Sequence, residues 1–215
     1  MSALVQLRRH VMQLRACTAC PKMIGPSVVG TPVISPVMLV GQAPGVKEGP
    51  AGKPFAWTAG KTLFQWFATI GLSEDLFREH VYMAAVARCF PGKAKTGDRV
   101  PDAEEIERCG EHLATEARLI KPQLVIPVGK LAIAQFIPDV DKLVDIIGST
   151  HRVSFGGVTT DMIALPHPSG ASTWHRTEPG KTLLVRALAL ISQHDAWLAV
   201  RASAGPMPHT TGASA

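Results

Sequence analysis

Four apolar residues, Val37-Met38-Leu39-Val40, run straight into Gly41-Gln42-Ala43-Pro44-Gly45. An apolar run of that length ending in a Gly/Pro turn is the pattern of a strand buried on both faces, and such strands belong to parallel sheets covered by helices. Parallel neighbours need crossover connections, so the rest of the chain must place helices between further strands. In open α/β sheets ligands sit outside the carboxyl ends of the strands. Gln42 and its loop, with Phe55 beyond, therefore read as the lining of a pocket mouth.

The rest of the chain meets that demand. Strand-like runs recur at 82–86, 124–128 and 159–165, alternating with helical patterns at 58–72, 101–120, 129–137 and 179–200. Thr58 reads as an N-cap and Gly71 as a helix end. Pro101 falls in the first turn of the second helix, where Asp102, Glu104 and Glu105 complement its dipole. Residues 1–16, with Arg8, Arg9 and Arg15 among apolar positions, form an amphipathic helix rather than a signal peptide. Residues 92–100 read as a polar, mobile loop and 202–215 as a disordered tail. The expected architecture is one domain over residues 1–201, a three-layer α/β/α sandwich around a four-stranded parallel sheet.

With 46% apolar and 18% charged residues the chain has the composition of a soluble globular protein. No apolar run approaches the ~18 residues of a membrane span. A cytoplasmic, nucleoid-associated monomer without a membrane partner is expected. The net charge of +5 favours a polyanionic partner, although no dense Lys/Arg block is present.

Gly60-Lys61-Thr62 and Gly180-Lys181-Thr182 imitate the end of a phosphate-binding loop, but Phe55 and His175 stand where its first glycine is required. Nucleotide hydrolysis is excluded on that ground. Cys17, Cys20, Cys89 and Cys109 are too few to staple a chain of this length. As one site they suit Zn²⁺ or an Fe–S cluster; as separate residues they are ordinary buried thiols. His167, in Pro166-His167-Pro168-Ser169, is either an oxyanion donor at a strand end or a surface-turn histidine. Phe55 stacks on a planar ligand or packs in the core. Trp174, His175 and Arg176 reach a phosphate backbone or form an exposed turn.

Taken together, GQAPG, KPF, LPHPSG and the four cysteines resemble the uracil-DNA glycosylase superfamily, closest to its Fe–S-containing families four and five, over residues 14–176. The resemblance implies a monofunctional enzyme that flips uridine out of the stack, in single- or double-stranded DNA, and hydrolyses the N-glycosidic bond to start base-excision repair. It implies a [4Fe–4S] cluster on Cys17, Cys20, Cys89 and Cys109. It makes Gln42 and His167 the catalytic pair, the first holding water at C1′ and the second stabilising charge on uracil O2. Gly41, Ala43, Phe55, Ala85 and Ser169 would meet the substrate, with Phe55 stacked on the base, while Gly170 and Arg176 would touch DNA.

Three departures from the family pattern shape these expectations. Gln42 stands where an acid is usual, and an amide orients water without removing its proton. Glu48 is a possible substitute or a solvent-exposed loop acid. Ala85 stands where an Asn would read the uracil edge, and Gly170-Ala171-Ser172 replaces the proline and bulky wedge residue. A related branch traps abasic DNA through a histidine-bearing insertion after the third cysteine. Residues 90–100 have lysines and no histidine, so turnover without a covalent product is expected. The alternative function is a catalytically silent Fe–S domain that binds damaged DNA or a repair partner.

Overall fold

Ser2 starts the first helix, its side chain accepting from the Val5 amide. In the computed structural model, which describes residues 1–170 and 172–205, the elements then run α1 (Ala3–Arg15), β1 (Val37–Gly41), α2 (Glu48–Ala51), α3 (Thr58–Thr69), α4 (Glu74–His80), β2 (Tyr82–Ala85), α5 (Ala103–Ile120), β3 (Leu124–Pro127), α6 (Lys130–Ile133), β4 (Thr150–Phe155), β5 (Val158–Ile163), α7 (Gly180–Gln193) and α8 (Asp195–Ala204). Short 3-10 turns lie at Leu143–Asp145 and Trp174–Arg176.

The strands form one five-stranded sheet in the order β2-β1-β3-β5-β4. The four expected strands are parallel to their neighbours, with Val40 beside both Ala84 and Pro127. The fifth, β4, is antiparallel to β5, so the sheet is mixed rather than four-stranded and parallel. Gly156 and Gly157 join the two strands at φ 57° and 80°, the left-handed pair that a two-residue hairpin needs. Along β4 only Val153 is buried. A half-solvated edge strand carries no apolar run, which is why 150–155 does not announce itself.

Five of the helices pack in two sets. Along α5, Cys109, Leu113, Glu116, Ala117 and Ile120 are buried at helical spacing, and α1 packs beside it. On α3, α4 and α8, Phe67 stacks on Phe77 at 4.4 Å and on Trp197 at 5.4 Å. Pro101 lies outside α5: the cap is Asp102, whose side chain accepts from the Glu105 amide while Glu105 accepts from that of Asp102. The last expected helix is two, bent by 68°. His194 ends α7, caps α8 by accepting from the Ala196 amide, and places Nε2 3.2 Å from Asp161. Helix α8 continues through Ala204, into the expected tail; residues 206–215 lie outside the described residues. Among the described residues no single helix is long and apolar enough to cross a membrane.

Candidate active site

Because β1, β2, β3 and β5 run parallel, the loops that follow them open on one edge of the sheet. Pairing continues past the strands: Val86 and Ala87 donate to the carbonyls of Gly41 and Gln42, and Gly129 donates to Leu165. The motif loops are thus held by backbone bonds up to the residues that carry chemistry. Between them lies a cavity of about 560 Å³ whose walls include Gln42, Ala43, Phe55, His167 and Ser169. A smaller one of about 30 Å³, beside Gly41, Phe55 and Ala85, is too small for a pyrimidine ring. A larger cavity, about 780 Å³, lies near the strand starts by Gln123 and Asp161 and holds none of the motif residues. Chemistry and topology both favour the 560 Å³ cleft over it.

Phe55 lines both of the inner cavities. A Cβ on Gly41 would stand 2.9 Å from its ring, and one on Gly60 would stand 1.7 Å from its carbonyl oxygen. Both glycines are needed for these approaches. The Phe55 backbone sits at φ 53°, a conformation that bulky residues adopt only when their surroundings enforce it. Arg78 supplies that enforcement, donating to the carbonyls of Pro54 at 2.8 Å and Phe55 at 3.1 Å, with its guanidinium 4.5 Å from the Phe64 ring. Ala85 lines only the smaller cavity, so a base held in the cleft does not meet it.

His167 is half-buried, and its Nδ1 accepts from the Ser169 amide at 3.3 Å. An amide only donates, so the neutral ring carries its proton on Nε2 and presents a donor to the cleft. Burial, and secondarily His175, hold its pKa below the ordinary histidine value. A Cβ on Gly129 would come within 3.1 Å of the imidazole, so the ring rests on bare backbone. Burial likewise lowers His10, His112 and His175. These four take up protons less readily in the fold than in the unfolded chain, while Glu48, raised by burial, acts in the opposite sense. Stability should be full above about pH 6.5 and fall as pH drops through the lowered histidine values. A urea midpoint lower at about pH 5.5 than at about pH 7.5 is expected; one that rises on acidification would contradict it.

Glu48 is not an exposed loop acid: it is 9% exposed. Its two oxygens accept from the Gly45 amide at 2.6 Å and the Ala56 amide at 3.0 Å, stapling the first loop to the Phe55 turn. The Gln42 amide, by contrast, makes no side-chain hydrogen bond among the described residues and is available to a water. Residues 92–100, expected as a mobile loop, fold into a small hairpin with a Lys93–Asp98 bridge. Arg99 anchors it by a bidentate pair to Glu105, at 2.8 and 2.7 Å.

All four cysteines line one cavity of about 240 Å³ beside α1 and α5. Among the described residues no group of three or more His, Cys, Asp or Glu side chains is placed to hold a single metal ion. Burial, reinforced by the neighbouring thiols, pushes Cys89 up to about 11, and burial also raises Cys20 and Cys109. Thiolates gathered there need a compensating positive charge.

Arg88 lines this cavity and is fully buried, donating through Nε to the Ala85 carbonyl at 2.8 Å and through both terminal nitrogens to Glu116. Burial works against its charge, yet Glu116 and Tyr82 together raise its pKa above the ordinary guanidinium value. Tyr82 completes the set by donating to Glu116 at 2.7 Å. His10 Nε2 lies 3.8 Å from Glu116, but its lowered pKa leaves it neutral and without an ion pair.

The fold therefore brings Gln42, Ala43, Phe55, His167 and Ser169 together and sets Gly41 and Ala85 on the smaller cavity that Phe55 also lines. Gly170 is exposed next to Ser169, and Ala171 lies outside the described residues. Arg176 is exposed on its 3-10 turn and lines neither cavity. Sequence reasoning passed over Lys47, Trp57, Lys93 and Arg99, which also line the cleft.

The model of the Uracil DNA glycosylase superfamily matches residues 29–190. The chain is 35% identical over 138 residues to a Type-4 uracil-DNA glycosylase of Archaeoglobus fulgidus, covering 62% of this chain and 65% of the relative. It is 29% identical to one of Pyrobaculum aerophilum, over 62% of this chain and 66% of the relative. Identity to one of Thermotoga maritima is 30%, over 58% and 62%. The matches thus span just under two thirds of these curated relatives.

Proposed function

The chain belongs to the uracil DNA glycosylase superfamily, and on that premise we propose that it is a monofunctional uracil-DNA glycosylase. The observation that carries the reading is the joint placement of Gln42, Phe55 and His167 on one cleft. The relatives' printed name, Type-4 uracil-DNA glycosylase, supports it. The two helix sets are read as the outer layers of a three-layer sandwich.

In this mechanism uridine leaves the stack, at a cost of a few kcal/mol, and its base lies against Phe55. The bond between uracil N1 and C1′ breaks with its electron pair going to the base. Negative charge grows on uracil O2, and the Nε2–H of neutral His167 donates to it. Because the sugar carbon becomes cation-like before attack, little base assistance is needed, and the Gln42 amide holds the water that bonds to C1′. That water's proton leaves to solvent, and the uracil anion takes one up from solvent. The products are free uracil and an abasic deoxyribose in an unbroken strand. Ser169 acts through its amide by fixing the His167 tautomer, and Ala43 bounds the cleft.

Cys17, Cys20, Cys89 and Cys109 would hold a [4Fe–4S] cluster. A tetrahedral zinc site draws four thiolates to ~2.3 Å from one point, which a cavity of about 240 Å³ suits less well than it suits a cluster. Such a cluster would cross-link the segment after α1, the segment after β2 and α5, with no step of the hydrolysis assigned to it.

A uracil oligonucleotide treated with the protein and then with alkali tests the function. The strand should break only after alkali, with no slower protein–DNA band. Breakage before alkali would overturn the monofunctional assignment, and a persistent adduct would overturn turnover by water.

A further inference from the structure

Trp57 is 55% exposed, and among the described residues no other tryptophan is exposed. It stands two residues after Phe55, at the start of α3, on the rim of the cleft that also holds Gln42 and His167. Its indole is therefore presented beside the cavity proposed for the flipped base, outside the core. Lys47, also exposed and on the same rim, holds its ammonium 5.7 Å from the Trp57 ring centroid. Leaving so large an apolar ring in water next to a cation suits a flat aromatic ligand carrying negative charge.

We propose, resting on the glycosylase reading, that Trp57 is a stacking platform for the nucleotide next to the flipped one, that Lys47 meets its phosphate, and that the pair makes the protein favour single-stranded DNA. Every nucleobase has a face to stack, so the contact is indifferent to sequence. In a single strand the neighbouring base is available at little cost. In a duplex it is paired and stacked, and placing it on Trp57 would open a second base pair beside the first. The platform therefore acts on single strands and is largely idle on duplexes. Loops 42–45 and 166–170 grip the target nucleotide, while Trp57 orders the strand leading to it.

Binding of a short single-stranded oligonucleotide without uracil, followed by indole fluorescence and by anisotropy of a labelled strand, tests this on the full chain. Wild-type fluorescence should be quenched on binding. Trp57→Ala should raise the single-strand Kd about tenfold or more while changing duplex binding much less, and Trp57→Phe should recover much of the loss. Lys47→Ala should weaken single-strand binding and flatten its salt dependence. An unchanged single-strand Kd in Trp57→Ala, or equal losses on single strands and duplexes, would overturn the platform. Because the probe carries no uracil, that failure leaves the glycosylase reading intact; absent uracil release with single-strand binding through Trp57 preserved would overturn that reading and not the platform.

Discussion

Replacing His167 by alanine is expected to lower uracil release about 10²–10³-fold, the loss that follows removal of one preorganised oxyanion donor. The interaction is made as charge develops on the departing base, so the loss should fall on kcat with KM little changed. Geometry sets the size of the effect. Ser169 occupies Nδ1, which directs the remaining proton into the cleft from Nε2. Burial keeps the ring neutral, so it contributes a fixed dipole rather than a charge that would hold substrate equally in the ground state. Thermal stability should change far less than activity, because the half-buried ring makes a single hydrogen bond among the described residues, from the Ser169 amide. Activity within a few fold of wild type in His167→Ala would remove His167 from the mechanism.

The largest stability effect is expected at Arg88, which lies outside the cleft. Arg88→Met would leave Glu116, itself fully buried, facing Tyr82 with its charge uncompensated. Breaking a buried ion pair from one side costs about 3–5 kcal/mol, which in a protein of this size lowers the melting midpoint by roughly 6–20 °C. The double variant Arg88→Met with Glu116→Leu should recover most of that loss, since an apolar pair of similar volume often substitutes for a buried ion pair. Arg88 also fixes the Ala85 carbonyl at the end of β2 and precedes Cys89, so the single variant should disturb the smaller cavity beside Gly41 and the cysteine cavity together. A single variant as stable as wild type would show that the pair is not the tie between them.

Much of the fold is legible because it rests on apolar runs. Val37–Gly41 and its two parallel neighbours, β2 and β3, are buried on nearly every residue, and β5 is buried at its C-terminal end, so their apolar runs mark them. The edge strand β4 is hidden because one buried valine makes no pattern, although Gly156-Gly157 was a hairpin signal in plain view. Asp102 with Glu105 was likewise a readable capping box that Pro101 obscured. The bend at His194 has no glycine or proline to announce it and depends on Asp161, distant in sequence.

The candidate site shows the same division. Gln42, Phe55 and His167 are legible because strand-end loops of an α/β sheet point to one edge. Glu48 is not, since a glutamate in a Gly/Pro-rich loop reads as solvated, and only the fold supplies the Gly45 and Ala56 amides that hold it. Arg88 and Glu116 lie 28 residues apart and share no local motif. Trp57 could have been found from its place two residues beyond Phe55, but its exposure is a property of the folded chain.

The central claim, hydrolysis of the N-glycosidic bond of uridine in DNA by residues of one cleft, is tested most directly by detecting the liberated base. Mass-spectrometric measurement of free uracil from a single-stranded uracil oligonucleotide, with the matching thymine oligonucleotide alongside, should give uracil in proportion to abasic sites, little thymine, and loss of the signal in His167→Ala. DNA binding without free uracil at enzyme excess would contradict the account and leave a silent DNA-binding domain in its place.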